Sequence, residues 1–441
     1  MDGPGAQKDN PLKILLVNLH SSYNAGDDAL TQEAIRQLTE QFPQASFTLA
    51  LNDPASYHGV GQAVESFTYW IKPIAPDSTS AQWRWQALPG LIAHSLLAVT
   101  GYRLTGHPWY WFLSPERRAL LEAYFQADMV ISAAGNFLYS SGIVGVPFLL
   151  ALFTIFYAWL AGKPVYMLPQ TLGPIRRRKE RLLTKAVLTR VRLVMIRDPI
   201  SAEVWKAWNV RGVPWSLVPD LAFAWPATQD TQEARALLAE YGLDNGGDQP
   251  RLGVTLIHWG AQSRTFARQS VYEEAIEAAI RDFVTSCAGC AVLFAQVQGP
   301  TRAEDDRVPA RRVLANLADL SNRVVLVDRW VPPHVLRAAY SQMDLFLGTR
   351  LHSNIFALTE GVPVIAIGYQ YKTRGVMRLL GLEPWVLDIE QVNSETLVHL
   401  LRAAWAEREQ TRVHLQRVLP WVQKLACQAG ALIASDFAQK R

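Results

Sequence analysis

Cysteine is nearly absent. Only Cys287, Cys290 and Cys427 stand in a chain of 441 residues, too few for a disulfide framework. Cys287 and Cys290 form one CxxC with no second ligand pair, which argues against a structural zinc site. The pair follows a helical pattern and leads into the apolar run CAVLFAQV, whereas a redox motif opens a helix. Both are read as small turn and core residues. A charge surplus is missing too: 43 basic against 39 acidic residues leave +4. With no aromatic-plus-basic segment, that argues against a nucleic-acid partner. The N-terminus MDGPGAQKDNPLK lacks the basic-then-apolar order of a signal peptide. GxGxxG does not occur. The first strand-to-helix turn reads NAGDDA, which puts acids where a dinucleotide's pyrophosphate would sit. No cluster of His, Cys and carboxylates stands out, so no metal is expected.

Charge is also absent from Asn136 to Gly162. The run VGVPFLLALFTIFYAWLAG approaches the ~20 apolar residues that cross a bilayer. It lies, however, between the strand-like runs ADMVISAAG and KPVYMLPQ, where an α/β chain places a crossover helix. Helices inside a large core are apolar all round, so a buried helix is expected. A second stretch, Leu88 to Leu113, is apolar and rich in Trp and Tyr. Two readings stand: an insertion packed on the first domain, or a hydrophobic flap touching membrane or a lipid-linked substrate.

What is present is regular. Hydrophobic residues make up 49% and charged residues 19%, a globular balance. Apolar runs alternate with helical patterns: KILLVNLH, SFTLALN, DMVISAAG, PVYMLPQ, LVMIRD and WSLVPD, then RLGVTLIH, AVLFAQVQ, RVVLVD, LFLGTR, PVIAIG and WVLDI. That order builds parallel sheets covered on both faces. A break carrying Pro226, Gly246, Gly247 and Pro250 divides the chain. The expected fold is α/β, with two facing, Rossmann-like, doubly wound domains at residues 12–225 and 251–415. The first carries an insertion at about 58–113, and residues 416–441 are expected as a helix packing back on it. Ligands of such sheets bind past the carboxyl ends of the strands, so the site is expected in the interdomain cleft.

The residues at those strand ends are chemically coherent. After the first strand come Asn24, Gly26, Asp27 and Asp28. One aspartate is expected to cap the helix, leaving the other to face the cleft as a base. Gly135 allows a tight turn or close backbone approach, and Asn136 can hydrogen-bond a ligand. Gln170 is placed in a cleft-facing loop, and Arg197 and Asp220 at strand ends. In the second half, His258, Gln296 and Arg329 rank low singly, as structural residues. Arg350 then ends a strand, and Leu351, His352 and Ser353 open a helix. Arginine forks onto carboxylate or phosphate, a helix N-terminus offers N–H donors to the same anion, and histidine titrates near neutral pH. Tyr369 and Lys372 follow on the next loop. Cations on successive loops describe a pocket for a small, multiply charged anion.

These motifs resemble the polysaccharide pyruvyl transferase family: the NAGDDAL turn, VMIRDPIS, PDLAF and, most specifically, TRLHSNIFALTEGVPVIAIGYQYKTRG. The resemblance runs from about Ile14 to Leu382, apart from about His58 to Leu113. It implies facing domains like those of GT-B glycosyltransferases. It also implies transfer of a pyruvyl group from phosphoenolpyruvate to sugar hydroxyls of a cell-surface polysaccharide or its lipid-linked precursor, as a ketal. By that resemblance Arg350, the Leu351 backbone and His352 hold or activate phosphoenolpyruvate on the second domain. The first domain takes the acceptor and supplies Arg197 as a second anion-binding arginine. Where the family shows a run of glycines after the ADMVIS-like strand, this chain has AAGN, a departure at Gly135 and Asn136.

Phosphoenolpyruvate is then the donor substrate, and no cofactor is expected. Protonating its methylene needs a general acid, for which His352 is the best titratable candidate, and Asp27 or Asp28 would be the base. The expected location is the cytoplasm, peripheral at the inner face of the membrane. Two rival readings remain. A nucleotide-sugar glycosyltransferase of the same architecture would use Glu360, which lies about 12 Å from the anion end of its helix by helical rise. A non-catalytic component of an envelope polysaccharide assembly complex would leave the cleft cations without a use.

Overall fold

The run KILLVNL becomes a strand buried on both faces rather than alternately, the pattern of a parallel sheet under two helix layers. The computed structural model describes residues 11–73, 84–140, 145–225, 228, 231–243, 249–263 and 266–440. The first sheet contains β1 (Lys13–Leu19), β2 (Ser46–Leu51), β3 (Gln62–Glu65), β4 (Met129–Ser132), β5 (Gly135–Ser140), β6 (Val165–Ile175), β7 (Leu193–Ile196) and β8 (Trp215–Leu217). The second contains β9 (Arg251–Thr255), β10 (Cys290–Phe294), β11 (Val324–Val327), β12 (Leu345–Gly348), β13 (Val364–Gly368) and β14 (Val386–Asp388). The orders are 3-2-1-4-6-7-8, with β5 beside β6, and 11-10-9-12-13-14. All these pairings are parallel. Both domains are therefore doubly wound, with switch points between β1 and β4 and between β9 and β12.

Three apolar layers hold the fold. One covers the outer face of the first sheet and one the outer face of the second. The third is shared: Leu16 and Ala29 of the first domain pack in one cluster with Ile355 and Phe356 of the second. The helix Ala429–Gln439 returns to the first domain. There the Gln37 amide donates to Ala426 O, and Gly430 N donates to Gln37 Oε1. A Cβ on Gly430 would fall 2.5 Å from Gln37 O, so the close approach needs glycine. The helix Arg408–Ala426 runs through residue 415 without interruption.

Two strands depart from the expected list. β3 is a four-residue edge strand inside the expected insertion. β5 occupies GNFLYS, a sequence of turn-forming residues at both ends, and it draws β6 out to eleven residues. Residues expected in loops there, Gly135, Asn136 and Gln170, lie on strands instead. Within the uncharged stretch, the helix Val146–Leu160 is fifteen residues long. Among the described residues, no helix is long and apolar enough to cross a membrane.

Candidate functional site

The cleft opens where the two switch points face each other. From the first domain it is lined by His20, Asn24, Asp27, Asn136, Tyr139 and Arg197, among others. From the second come Trp259, Arg350, Leu351, His352, Tyr369 and Lys372.

β12 pairs with β9 up to Gly348, which delivers Arg350 to the N-cap of the helix Leu351–Thr359. No side chain caps that helix, so its first-turn N–H groups are open to an anion. Arg350 is not a free fork. Its Nε lies 3.1 Å from both oxygens of Asp306, and its Nη2 donates to Asp306 Oδ1 at 2.6 Å and to Glu304 O at 3.3 Å. Arg350 also interacts with Tyr369 and lines the cleft. Asp306 is fully buried, which pushes its carboxyl up to about 6 although Arg350 opposes the shift.

His352 reaches across to the first domain. Its Nε2 lies 3.7 Å from Asp220 Oδ2, an ion-pair distance rather than a hydrogen bond. The ring rests on Gly26: a Cβ there would fall 2.1 Å from His352 Nδ1. Glycine is therefore required at 26 by contact with the opposite domain. Asp220 is itself held by Arg197 Nη1 at 2.7 Å and by Ala222 N at 3.0 Å. Burial alone would raise its pKa, but His352 and Arg197 pull the carboxyl below the usual range. Arg197 also bonds Thr171 and is 1% exposed, so it serves Asp220 more than the cleft.

The NAGDD turn forms the facing wall. Asn24, not an aspartate, caps the helix Ala25–Gln41: its Oδ1 accepts from Gly26 N. Its Nδ2 donates to Asp27 at 2.9 Å. The turn is stitched to the other domain through Ala25 N to Gln296 O and Gln298 N to Tyr23 O. Asp27 lines the cleft. Asp28 is buried beside Gln32, with its carboxyl pushed up to about 6 chiefly by burial. That takes Asp28 out of the cleft.

Two other expected residues are displaced for the same reason. Gln170 is wholly buried and holds Ala133 O. Ser353 is wholly buried between Thr255 and Arg350 O. Asn136 lines the cleft but ties the domains together, bonding Gln370 at 2.9 Å and Tyr371 at 3.0 Å. Gly135 has an ordinary backbone, and a Cβ there would meet only Phe137. Tyr369 packs against Trp259 with the rings tilted at 45° and centres 4.6 Å apart, and Lys372 Nζ lies 5.1 Å from its ring centre. Burial would raise its phenol pKa, but Lys372 and Arg350 pull it below the ordinary value.

Sequence reasoning missed Asp306 and gave Asp220 no role. The available signal for Asp306 was the acidic run Glu304–Asp305–Asp306 before a helix. Its partner lies 44 positions away.

The chain matches the polysaccharide pyruvyl transferase family over residues 24–371, from the Asn24 turn to just past Gln370. The chain belongs to the polysaccharide pyruvyl transferase family. That membership makes it a transferase acting on polysaccharide. It is similar to the amylovoran biosynthesis protein AmsJ of Erwinia amylovora, with 22% identity over 88% of this chain and 90% of that one. Among solved structures, it is similar to a putative UDP-N-acetylglucosamine 2-epimerase from Listeria monocytogenes (TM-score 0.57, 10% identity, 95% and 94% of the two chains). It is also similar to sucrose-phosphate synthase from Thermosynechococcus elongatus (0.54, 15%, 97% and 100%) and to HepE from Anabaena in complex with UDP and glucose (0.53, 14%, 97% and 99%). At these identities the likeness shows the fold, the two-domain GT-B arrangement, and nothing of the ligand.

Proposed function

We propose that this transferase moves the pyruvyl group of phosphoenolpyruvate onto two hydroxyls of a saccharide acceptor, free or lipid-linked, forming a ketal. The observation that carries the reading is one meeting point. Arg350, Lys372 and an uncapped helix N-terminus converge beside a histidine backed by a buried aspartate. Phosphoenolpyruvate carries a carboxylate and a phosphate on one small frame, and these donors suit both. His352, set against Asp220, is the group placed to protonate the methylene carbon, which leaves a cationic centre at C2. A sugar hydroxyl adds at C2 as Asp27 takes its proton. A second hydroxyl then attacks C2, the C2–O bond to phosphate breaks, and inorganic phosphate leaves. Asp27 passes its proton to the departing phosphate, and the second hydroxyl's proton restores His352. The route uses side chains alone, with no cofactor.

The nucleotide-sugar reading is disfavoured by Glu360. It is 4% exposed, lies 2.9 Å from Arg337 and accepts from Thr228 Oγ1 at 2.9 Å. It is held by an arginine of its own domain and by the linker at Thr228 instead of facing a ligand.

The test follows thermal stability with phosphoenolpyruvate and, separately, with UDP-sugars. Phosphoenolpyruvate is expected to raise the melting temperature and Lys372→Ala to shift that response to about tenfold higher phosphoenolpyruvate. Stabilisation by UDP-sugars alone would sink the proposal. Arg350→Ala is unsuited as a first probe because it strands buried Asp306; the pair Arg350→Ala with Asp306→Asn avoids that.

A further inference from the structure

The outer helix layer of the first domain is unlike the rest of the surface. Residues 84–192 hold thirteen basic and four acidic residues, a surplus of nine; the remainder holds thirty and thirty-five, a deficit of five. Of these thirteen, Arg192 is the one that meets a carboxylate within 4 Å among the described residues.

The same layer is apolar where it should be wet. The helix Leu88–Thr105 exposes Ile92 and Leu96, with no charge until Arg103. Its neighbour Val146–Leu160, touching it through Tyr157 to Ser95 O, is partly exposed at Leu149, Phe153, Phe156 and Leu160, and exposed at Trp159. A surface helix of a soluble protein ordinarily turns a charged face outward. Eight of the fourteen large apolar side chains exposed among the described residues fall here, and the extreme cases are Phe112 at 92% and Leu104 at 73%.

Charge and apolar surface interleave. Leu104 and Trp159 share one concavity with Arg103, Lys163, Arg190 and Arg192, and Arg190 lies 4.6 Å over the Trp159 ring. The adjoining helix Arg178–Leu188 exposes Leu182 and Leu183 beside Arg177, Arg178 and Arg181. We infer that this face docks on a lipid bilayer carrying anionic headgroups: basic side chains meet the headgroups while Leu104, Trp111, Phe112 and Trp159 enter the acyl boundary. Aliphatic leucines at this density fit hydrocarbon rather than an acidic glycan or nucleic acid, and the basic surplus selects an anionic surface. Pro147, at the start of the helix Val146–Leu160, also reaches the cleft rim, so a bilayer on this face lies beside the site. Docking is peripheral, and the inference does not depend on which donor the cleft takes.

The test is co-sedimentation of the full chain with phosphatidylcholine vesicles, with and without phosphatidylglycerol. Binding is expected only with phosphatidylglycerol. The triple change Arg177→Glu, Arg178→Glu and Arg181→Glu is expected to weaken it at least about tenfold. Trp111→Ser with Phe112→Ser is expected to weaken it even at low salt. All five positions are exposed, and unchanged melting temperatures confirm folding. No sedimentation with anionic vesicles, or wild-type binding by the charge-reversed variant, overturns the inference. So does concentration-dependent self-association in light scattering that the Trp111 and Phe112 changes abolish, because the face then belongs to a second copy.

Discussion

Each domain buries one arginine–aspartate pair at the cleft, and the two are electrostatically opposite. Asp306 and Asp220 are both fully buried. Asp306 has Arg350 and Val297 N as partners, with like-charged Asp305 beside it, and burial wins: its carboxyl rises to about 6. Asp220 has Arg197, His352 and Ala222 N, and they win over the same burial penalty. Each added cation or donor stabilises the anion. The difference suggests a division of labour. Asp220 remains an anion beside His352, whereas Asp306 holds Arg350 in place with a charge that is itself near neutralisation at mild acidity.

Removing the permanent anion should have the largest effect. Asp220→Asn keeps the shape but withdraws the charge from His352. Phosphate release is expected to fall about a thousandfold, within the range for lost acid–base assistance. His352→Ala should fall as far with the fold intact by circular dichroism. If Asp220→Asn turns over like wild type while His352→Ala is dead, the histidine does not rely on Asp220.

The weaker pair gives a pH signature. Asp306 has a folded pKa above its unfolded one, so its ionisation opposes folding. The chain loses stability as pH rises from about 4 to about 6, by about 3 kcal/mol for a two-unit shift. Asp220 works in the other direction, with stability lost as pH falls below about 4. Asp306→Asn should flatten the stability slope between pH 4 and 6 in chemical denaturation. An unchanged slope would show that Arg350 neutralises Asp306 fully. Buried Asp28, also raised to about 6, contributes a residual slope of the same sign.

These pairs also mark what the sequence could and could not convey. The alternation of apolar runs with helical patterns was enough for two doubly wound sheets, because strands buried on both faces read as continuous apolar segments. β3 and β5 escaped: one is four residues long and the other opens and closes on turn-forming residues. Arg350, His352 and Asp27 were legible as cleft residues because strand ends carry function in this architecture. Gln170 and Ser353 met the same positional rule, yet their side chains turn inward, and position past a strand does not fix direction. The carboxylates that hold Arg350 and His352 were not legible as partners, since pairing across tens or hundreds of residues is a tertiary fact.

On the second domain, Lys372 tests whether a cation of the cleft wall matters more to binding than to chemistry. It sits over Tyr369 at the cleft wall. Lys372→Ala is expected to raise KM for phosphoenolpyruvate about tenfold, the weight of one charge-assisted contact, with kcat changed far less. A fall in kcat at unchanged KM would move Lys372 from binding to the reaction itself.

The smallest effect is expected at the acid that the turn conceals. Asp27 and Asp28 are adjacent in sequence, but a one-residue step on a helix turns a side chain by about 100°. Asp27 therefore faces the cleft while Asp28 points into the layer with Gln32. Asp28→Asn should leave turnover within about twofold and should raise the melting temperature at pH 7, because an amide keeps the hydrogen bond without the cost of a buried charge. Asp27→Asn, measured beside it, should lose much more activity and little stability. The reverse pattern would make Asp28 the base and would require the first turn of the helix to rotate when the acceptor binds.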